Sequence, residues 1–217
     1  MNYLKHFIQF PLESSRNCLK KIGITFNLIN TISFELKFFS ATLFTIAAFL
    51  ERETTMDLIG MGGVVILISD FFVIIYKRIM QKENINTVFS KLYTLVLRCY
   101  SELFILFGIF LCLIFHGYFI ASIISFMALI GSIINSLVKV MTKGLGINSK
   151  KGLIKRSTRD FIISIGAIMC CWFKELINFD SMILLITSMV IIAILSNIGI
   201  VIHLYYCRKI NQKIGPN

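Results

Sequence analysis

The chain alternates long apolar runs with short basic stretches, and the apolar runs set its architecture. A helix crosses the hydrocarbon core of a bilayer in about 20 mostly apolar residues. Six runs answer to that description: Asn27–Leu50, Asp57–Tyr76, Val88–Phe115, Gly117–Val138, Asp160–Leu176 and Met182–Tyr206. The third and fourth are divided only by His116-Gly117, which predicts a tight helical hairpin. Ahead of them, Met1–Lys21 reads as an amphipathic helix lying in the membrane interface, with Tyr3, Leu4, Phe7, Ile8 and Phe10 set among Lys5, Arg16, Lys20 and Lys21. The runs are continuous, whereas a membrane barrel shows ~10-residue alternating segments. The pattern predicts an all-α membrane protein with six transmembrane helices and an N-terminal amphipathic interfacial helix. Its expected parts are a juxtamembrane helix over 1–22, a six-helix domain over 23–210 and a tail over 211–217.

Composition agrees. Of the 217 residues 57% are hydrophobic and only 15% charged, where a soluble domain has about 25% charged. Twenty Phe with two Pro favour long, unbroken helices. The net charge of +11 is no nucleic-acid signal, because it follows the membrane. Of the 22 Lys and Arg, eighteen fall on one side: before the first run, between the second and third or, as Lys91, at the start of the third, between the fourth and fifth, or after the sixth. Arg52 and Lys174 lie on the other side, and Lys37 and Arg98 lie inside runs. Positive residues accumulate on the cytoplasmic side, so both termini are expected there, with the chain in a bacterial cell membrane. The opposite face has only the short loops Glu51–Met56, His116-Gly117 and Ile177–Ser181, too small for an exported catalytic domain. Met1–Lys21 lacks the apolar core of a cleavable signal peptide. Six Cys without a C-x-x-C, and three His, argue against zinc or a disulfide framework.

Three ionisable residues then stand out within the apolar runs: Asp70, Arg98 and Glu102. Such a group costs about 2.5–3.5 kcal/mol on insertion scales and normally faces a protein interior. Asp70, Val73, Ile74, Lys77 and Arg78 share one helix face, and Ser90, Thr94, Arg98 and Glu102 share another. Two consecutive antiparallel helices would turn these stripes towards one cleft, where Asp70, Arg98 and Glu102 form either part of a functional site or an ion pair joining the helices. Glu35 and Lys37, two residues apart, point to nearly opposite faces, and spacing names no partner for Lys37. Gly60, Gly62 and Gly63 read as close-packing positions rather than a phosphate loop. Trp172 and Tyr205-Tyr206 read as interfacial anchors.

Several fragments carry a family resemblance. Gly23-Ile24-Thr25-Phe26-Asn27-Leu28-Ile29 is similar to an opening T-P-N-x-I-T. Asp70-Phe71-Phe72-Val73-Ile74-Ile75-Tyr76-Lys77-Arg78 is similar to D-x2-D-G-x2-A-R, with the first Asp and the last Arg kept. Phe89-Ser90, Thr94 and Arg98 stand where G-x3-D-x3-D follows, and Ser101-Glu102 matches a trailing Ser-acid pair. Gly144-Leu145-Gly146 through Arg156-Ser157-Thr158-Arg159 is similar to a glycine-rich loop ending E-R-x-E-R, with both arginines kept and both acids lost. In order and spacing, from Gly23 to about Gly166, the chain resembles the CDP-alcohol phosphatidyltransferases.

The resemblance implies a phosphatidyl-type transfer from a CDP-linked lipid donor to an alcohol, releasing CMP, in phospholipid biosynthesis. It implies Mg²⁺ or Mn²⁺ held by four aspartates, hard cations that prefer oxygen ligands. Two metals would stabilise the attacking and leaving oxygens. It also implies phosphate contacts from Arg78, Lys139, Arg156 and Arg159, and a homodimer paired through membrane helices. Of the four metal positions only Asp70 keeps its acid, and Arg98 puts a cation where an anionic ligand belongs. The metal site is therefore expected not to function. The resemblance leaves two alternatives, a divergent transferase using Mg²⁺ or Mn²⁺ and a pseudoenzyme using neither. A third, of a different class, is a membrane interaction protein of the immunity or exclusion type. On the pseudoenzyme reading Arg98 neutralises Asp70 or Glu102, and removing it would cost about 3–5 kcal/mol.

Overall fold

The computed structural model describes residues 26–79, 88–144, 156–174 and 180–214. The expected interfacial helix of Met1–Lys21 lies outside the described residues. Six helices follow one another: α1 (Phe26–Ala47), α2 (Arg52–Ile79), α3 (Val88–Phe115), α4 (Phe119–Gly144), α5 (Arg156–Trp172) and α6 (Met182–Ile214). No strand occurs among the described residues. By length and composition four helices are fit to cross a membrane, over Arg52–Tyr76, Leu92–Phe115, Phe119–Thr142 and Met182–Tyr205. The other two of the six expected spans are shorter or more polar. α5 has only 17 residues, or ~26 Å at 1.5 Å per residue. α1 carries Asn27, Asn30, Glu35 and Lys37. Both contribute polar residues to the site below.

The helices close into a ring in which α1 packs on α2, α2 on α5, α5 on α6, α6 on α4, α4 on α3, and α3 on α1. Its centre is filled by Phe44, Ile59, Ile66, Ile105, Ile109, Leu113, Ile163, Leu185 and Met189, each 2% exposed or less. Phe71, Phe72, Phe107, Ile123, Ile194 and Val201 face outward, as expected of side chains that meet lipid. A bundle in lipid lacks a hydrophobic driving force between its helices, so close backbone approach matters more. The α2 glycines provide it. A Cβ on Gly60 would lie 2.4 Å from the Cβ of Cys171, and one on Gly63 would lie 2.9 Å from both the Ala167 Cβ and the Ser164 carbonyl oxygen. The packing role expected of these glycines is what α2 and α5 use.

The predicted hairpin at His116-Gly117 is present, and its hydrogen bonds explain its tightness. Gly117 has φ 83°, the left-handed conformation that glycine adopts without a Cβ penalty. Its N–H donates to the Ile114 carbonyl at 3.1 Å, and the Tyr118 N–H donates to the Leu113 carbonyl at 2.9 Å. That is the double bond of a Schellman motif. His116 Nε2 lies 3.1 Å from the Ala47 carbonyl oxygen, and the Thr55 hydroxyl donates to the same oxygen at 2.9 Å. The end of α1 is thus capped by α2 and by the hairpin. Beside it Arg52 pairs with Asp180 at 2.6 Å, Tyr118 donates to Asp180, and the Asp180 carboxylate accepts the Met182 N–H at 3.2 Å. One acid therefore caps α6 and ties it to α2 and α4.

Candidate functional site

Towards the opposite end of the ring, the polar faces of α1, α2, α3 and α5 enclose a cavity of about 100 Å³. Lys37, Asp70, Arg98, Ser101, Ser157 and Asp160 are among the residues that line it. Lys37 is the centre of its charge. Its ammonium lies 2.7 Å from Asp70 Oδ1 and also donates to Asp160 Oδ2. The three side chains are 8%, 16% and 5% exposed. α1 and α5 are not neighbours in the ring, so the Lys37–Asp160 tie crosses it. Arg98 stands close enough to attract the Asp70 carboxylate.

A second cluster reaches across from the other face of α5. Arg159 pairs with Glu102 at 2.8 Å, each only 4% exposed. Ser132 of α4 lies between them, accepting a hydrogen bond from Arg159 Nη1 and donating to Glu102 Oε1. Consecutive residues in a helix point about 100° apart, because a turn takes 3.6 residues. Arg159 and Asp160, neighbours of opposite sign at the start of α5, therefore enter different clusters. One ties α5 to α3 and α4, and the other ties it to α1 and α2.

Beside the cavity, neutral hydrogen bonds join α1 to α3 and to α2. Asn30 donates to the Thr94 hydroxyl at 3.0 Å, and both are buried. Thr94 donates to the Ser90 carbonyl at 2.8 Å, and the Ser90 hydroxyl donates to Asn27 at the same distance. Ser33 and Ser69 bond across α1 and α2 at 2.7 Å. Thr94, one of the positions where the motif would have an aspartate, is thus integrated into the α1–α3 contact.

The expected trio is divided between the two clusters. Asp70 and Arg98 share the cavity, but the cation bonded to Asp70 is Lys37. Glu102 belongs with Arg159 and Ser132. Arg98 was expected to neutralise Asp70 or Glu102, and the bonded partners are Lys37 for Asp70 and Arg159 for Glu102. Arg159, expected at a phosphate, is buried and engaged by Glu102, since this acid lies one turn beyond Arg98 and deeper in the bundle. Lys139 is half-buried near the end of α4, within electrostatic reach of His203 on α6. The side chains of Arg78 and Arg156 lie outside the described residues. Asp160 was missed by the sequence reading, where it marked the start of a run. Lys37 was noticed but given no partner, and both its partners are remote in sequence, Asp160 by 123 residues.

Among the described residues no group of three His, Cys, Asp or Glu comes together to hold a metal ion. Asp70 and Asp160 do converge, on the ammonium of Lys37. These residues do not fit the four-carboxylate pair of metal sites that the motif implies. What they make is a compact, buried, charge-paired cleft.

No protein-family model matches the sequence, and no curated protein sequence matches it. Solved structures do. The chain is similar to Mycobacterium tuberculosis phosphatidylinositol phosphate synthase in complex with manganese and citrate, at 18% identity and a TM-score of 0.74, over 90% of this chain and 88% of that one. The CDP-DAG-bound structure of the same enzyme gives 18% identity and a TM-score of 0.73, over 90% and 92%. Its apo form gives 18% and 0.70, over 89% and 94%. The likeness covers nearly the full length of both chains. The chain therefore shares its fold with phosphatidylinositol phosphate synthase, a member of the CDP-alcohol phosphatidyltransferases whose motifs its own fragments resemble.

Proposed function

We propose that this protein is a pseudoenzyme built on the CDP-alcohol phosphatidyltransferase fold, which holds a CDP-linked lipid in its cleft without carrying out metal-dependent transfer. One observation carries the reading. Lys37 stands between Asp70 and Asp160, the only two acids among the described residues that line the cavity, where transfer through metals needs a cluster of free carboxylates. Thr94 beside Asn30, and Arg98 at the last aspartate position, support it further. A CDP-linked lipid is favoured because a solved structure of the same fold has CDP-DAG bound. Ser157 and Arg98 supply donors along the cavity for phosphate or ribose oxygens. On this reading the chain is a multi-pass protein of the bacterial inner membrane, with both termini cytoplasmic, and pairs as a homodimer.

The test is to incubate purified protein with CDP-diacylglycerol and Mg²⁺ or Mn²⁺, following nucleotide–lipid binding and CMP release together. Saturable binding that Arg98→Ala weakens, without CMP release above background, is the expected result. Metal-dependent CMP release would establish a working transferase instead. Neither binding nor release would point to a protein that acts through helix–helix contacts with a partner.

A further inference from the structure

The cleft contains a cation of its own. Asp70 and Asp160, from α2 and α5, direct carboxylate oxygens at one point inside the bundle, and Lys37 of α1 places its ammonium there. Charge-assisted N–H···O bonds are about 2.7–2.9 Å long, and oxygens bind Mg²⁺ or Ca²⁺ at about 2.0–2.6 Å. The same pair of oxygens can therefore close on either kind of cation with a small adjustment. Charge balance points the same way. Four carboxylates with two divalent cations sum to zero. Here Asp70 and Asp160 against Lys37 and Arg98 also sum to zero, with no ion added. A divalent cation joining this set would leave two uncompensated positive charges where the surroundings screen weakly. Lys37 is held in place, since it is buried and its Nζ bonds both acids at once.

We propose that Lys37 is a built-in substitute for a divalent cation, and that taking away its ammonium uncovers a cation site formed by Asp70 and Asp160. The wild-type cleft is then indifferent to divalent metals, and its geometry is the same with or without chelator. This goes beyond the proposed function, because it holds whether or not the cleft accepts a nucleotide.

Mn²⁺ is the probe, read by the loss of its free-ion electron paramagnetic resonance signal and by the melting temperature of detergent-solubilised protein. Wild type is expected to leave the Mn²⁺ signal unchanged and to melt at the same temperature in Mn²⁺ and in EDTA. Lys37→Ala is expected to bind one Mn²⁺ at least about tenfold more tightly than wild type and to melt higher in Mn²⁺ than in EDTA. Adding Asp160→Asn to Lys37→Ala should abolish both effects. If Lys37→Ala does not survive purification in EDTA, its recovery when Mn²⁺ is present throughout supports the proposal, and failure in both conditions counts against it. Stoichiometric Mn²⁺ binding by wild type that Asp70→Asn removes would overturn it. So would a folded Lys37→Ala that binds no Mn²⁺. Neither readout uses CDP-diacylglycerol, so failure here is distinguishable from failure of the ligand-binding reading.

Discussion

The two ends of the ring use the same kinds of side chain to opposite effect. At the end of short turns, Arg52 pairs with Asp180 with side chains 58% and 31% exposed, and Lys174 pairs with Asp57 at 28% and 50%. Towards the other end, Lys37, Asp70 and Asp160, and Glu102 with Arg159, are 16% exposed or less. Exposed pairs are screened and contribute 0–1 kcal/mol. Buried pairs gain little net stability when complete, yet breaking one by removing a partner costs about 3–5 kcal/mol. The first set fastens turns. The second set carries a penalty that only its completeness holds off, and it surrounds the cavity enclosed by α1, α2, α3 and α5.

Mutation should separate the sets. Lys37→Ala, which deprives two buried acids at once, should cost the most, at or above the upper end of about 3–5 kcal/mol, read by denaturant unfolding in detergent. Arg159→Met or Glu102→Leu alone should each cost about 3 kcal/mol, whereas the two together should recover most of it. A double-mutant cycle with no coupling would show that the Ser132-bridged pair does not hold α5 to α3 and α4. Arg98→Ala should cost less than about 1 kcal/mol, because Asp70 keeps Lys37 and Arg98 is only half-buried. A loss as large as that of Lys37→Ala would make Arg98 the principal counter-ion.

The smallest effect belongs to the Asp180 clamp, and pH should reveal it. Burial raises the Asp180 carboxyl, but the hydrogen bond from Tyr118 and the pairing with Arg52 outweigh it, leaving the group below its ordinary value of 3.8. A depressed folded pKa contributes stability that is present above the ordinary value and lost as pH falls through the folded one. The clamp should therefore hold down to about pH 4 and weaken below it. The Tyr118 hydroxyl is pushed up to about 12, first by burial and then by Asp180. Its contribution is present below the ordinary tyrosine value of about 10 and lost as pH rises from there towards about 12. Asp180→Asn should flatten the acid limb of a melting-temperature profile, and an unchanged limb would remove the clamp from the account.

Much of the fold was legible in the sequence because apolar runs and their interruptions are local signals. The hairpin followed from two residues, one a glycine, between two apolar runs. The packing glycines of α2 followed from their small size within a span. Asp70 and Glu102 were recognisable as interior groups because a lone charge in an apolar run has few other places to go. Their partners were not legible. Arg159 and Asp160 sit at the boundary of a run, beside a lysine-rich loop, where charge ordinarily means solvent. Nothing local distinguishes a boundary residue that turns into the bundle from one that faces water. The contrast of Arg159 with Asp160, neighbours of opposite sign at a helix start, was the available sign that α5 faces two clusters.

The most direct test of the account is a crystal structure of the wild-type protein grown with Mn²⁺, with diffraction recorded at the manganese absorption edge. The account predicts no anomalous peak in the α1–α2–α3–α5 cleft and continuous density from Lys37 to both Asp70 and Asp160. A manganese peak between those two carboxylates, with Lys37 displaced from them, would contradict it.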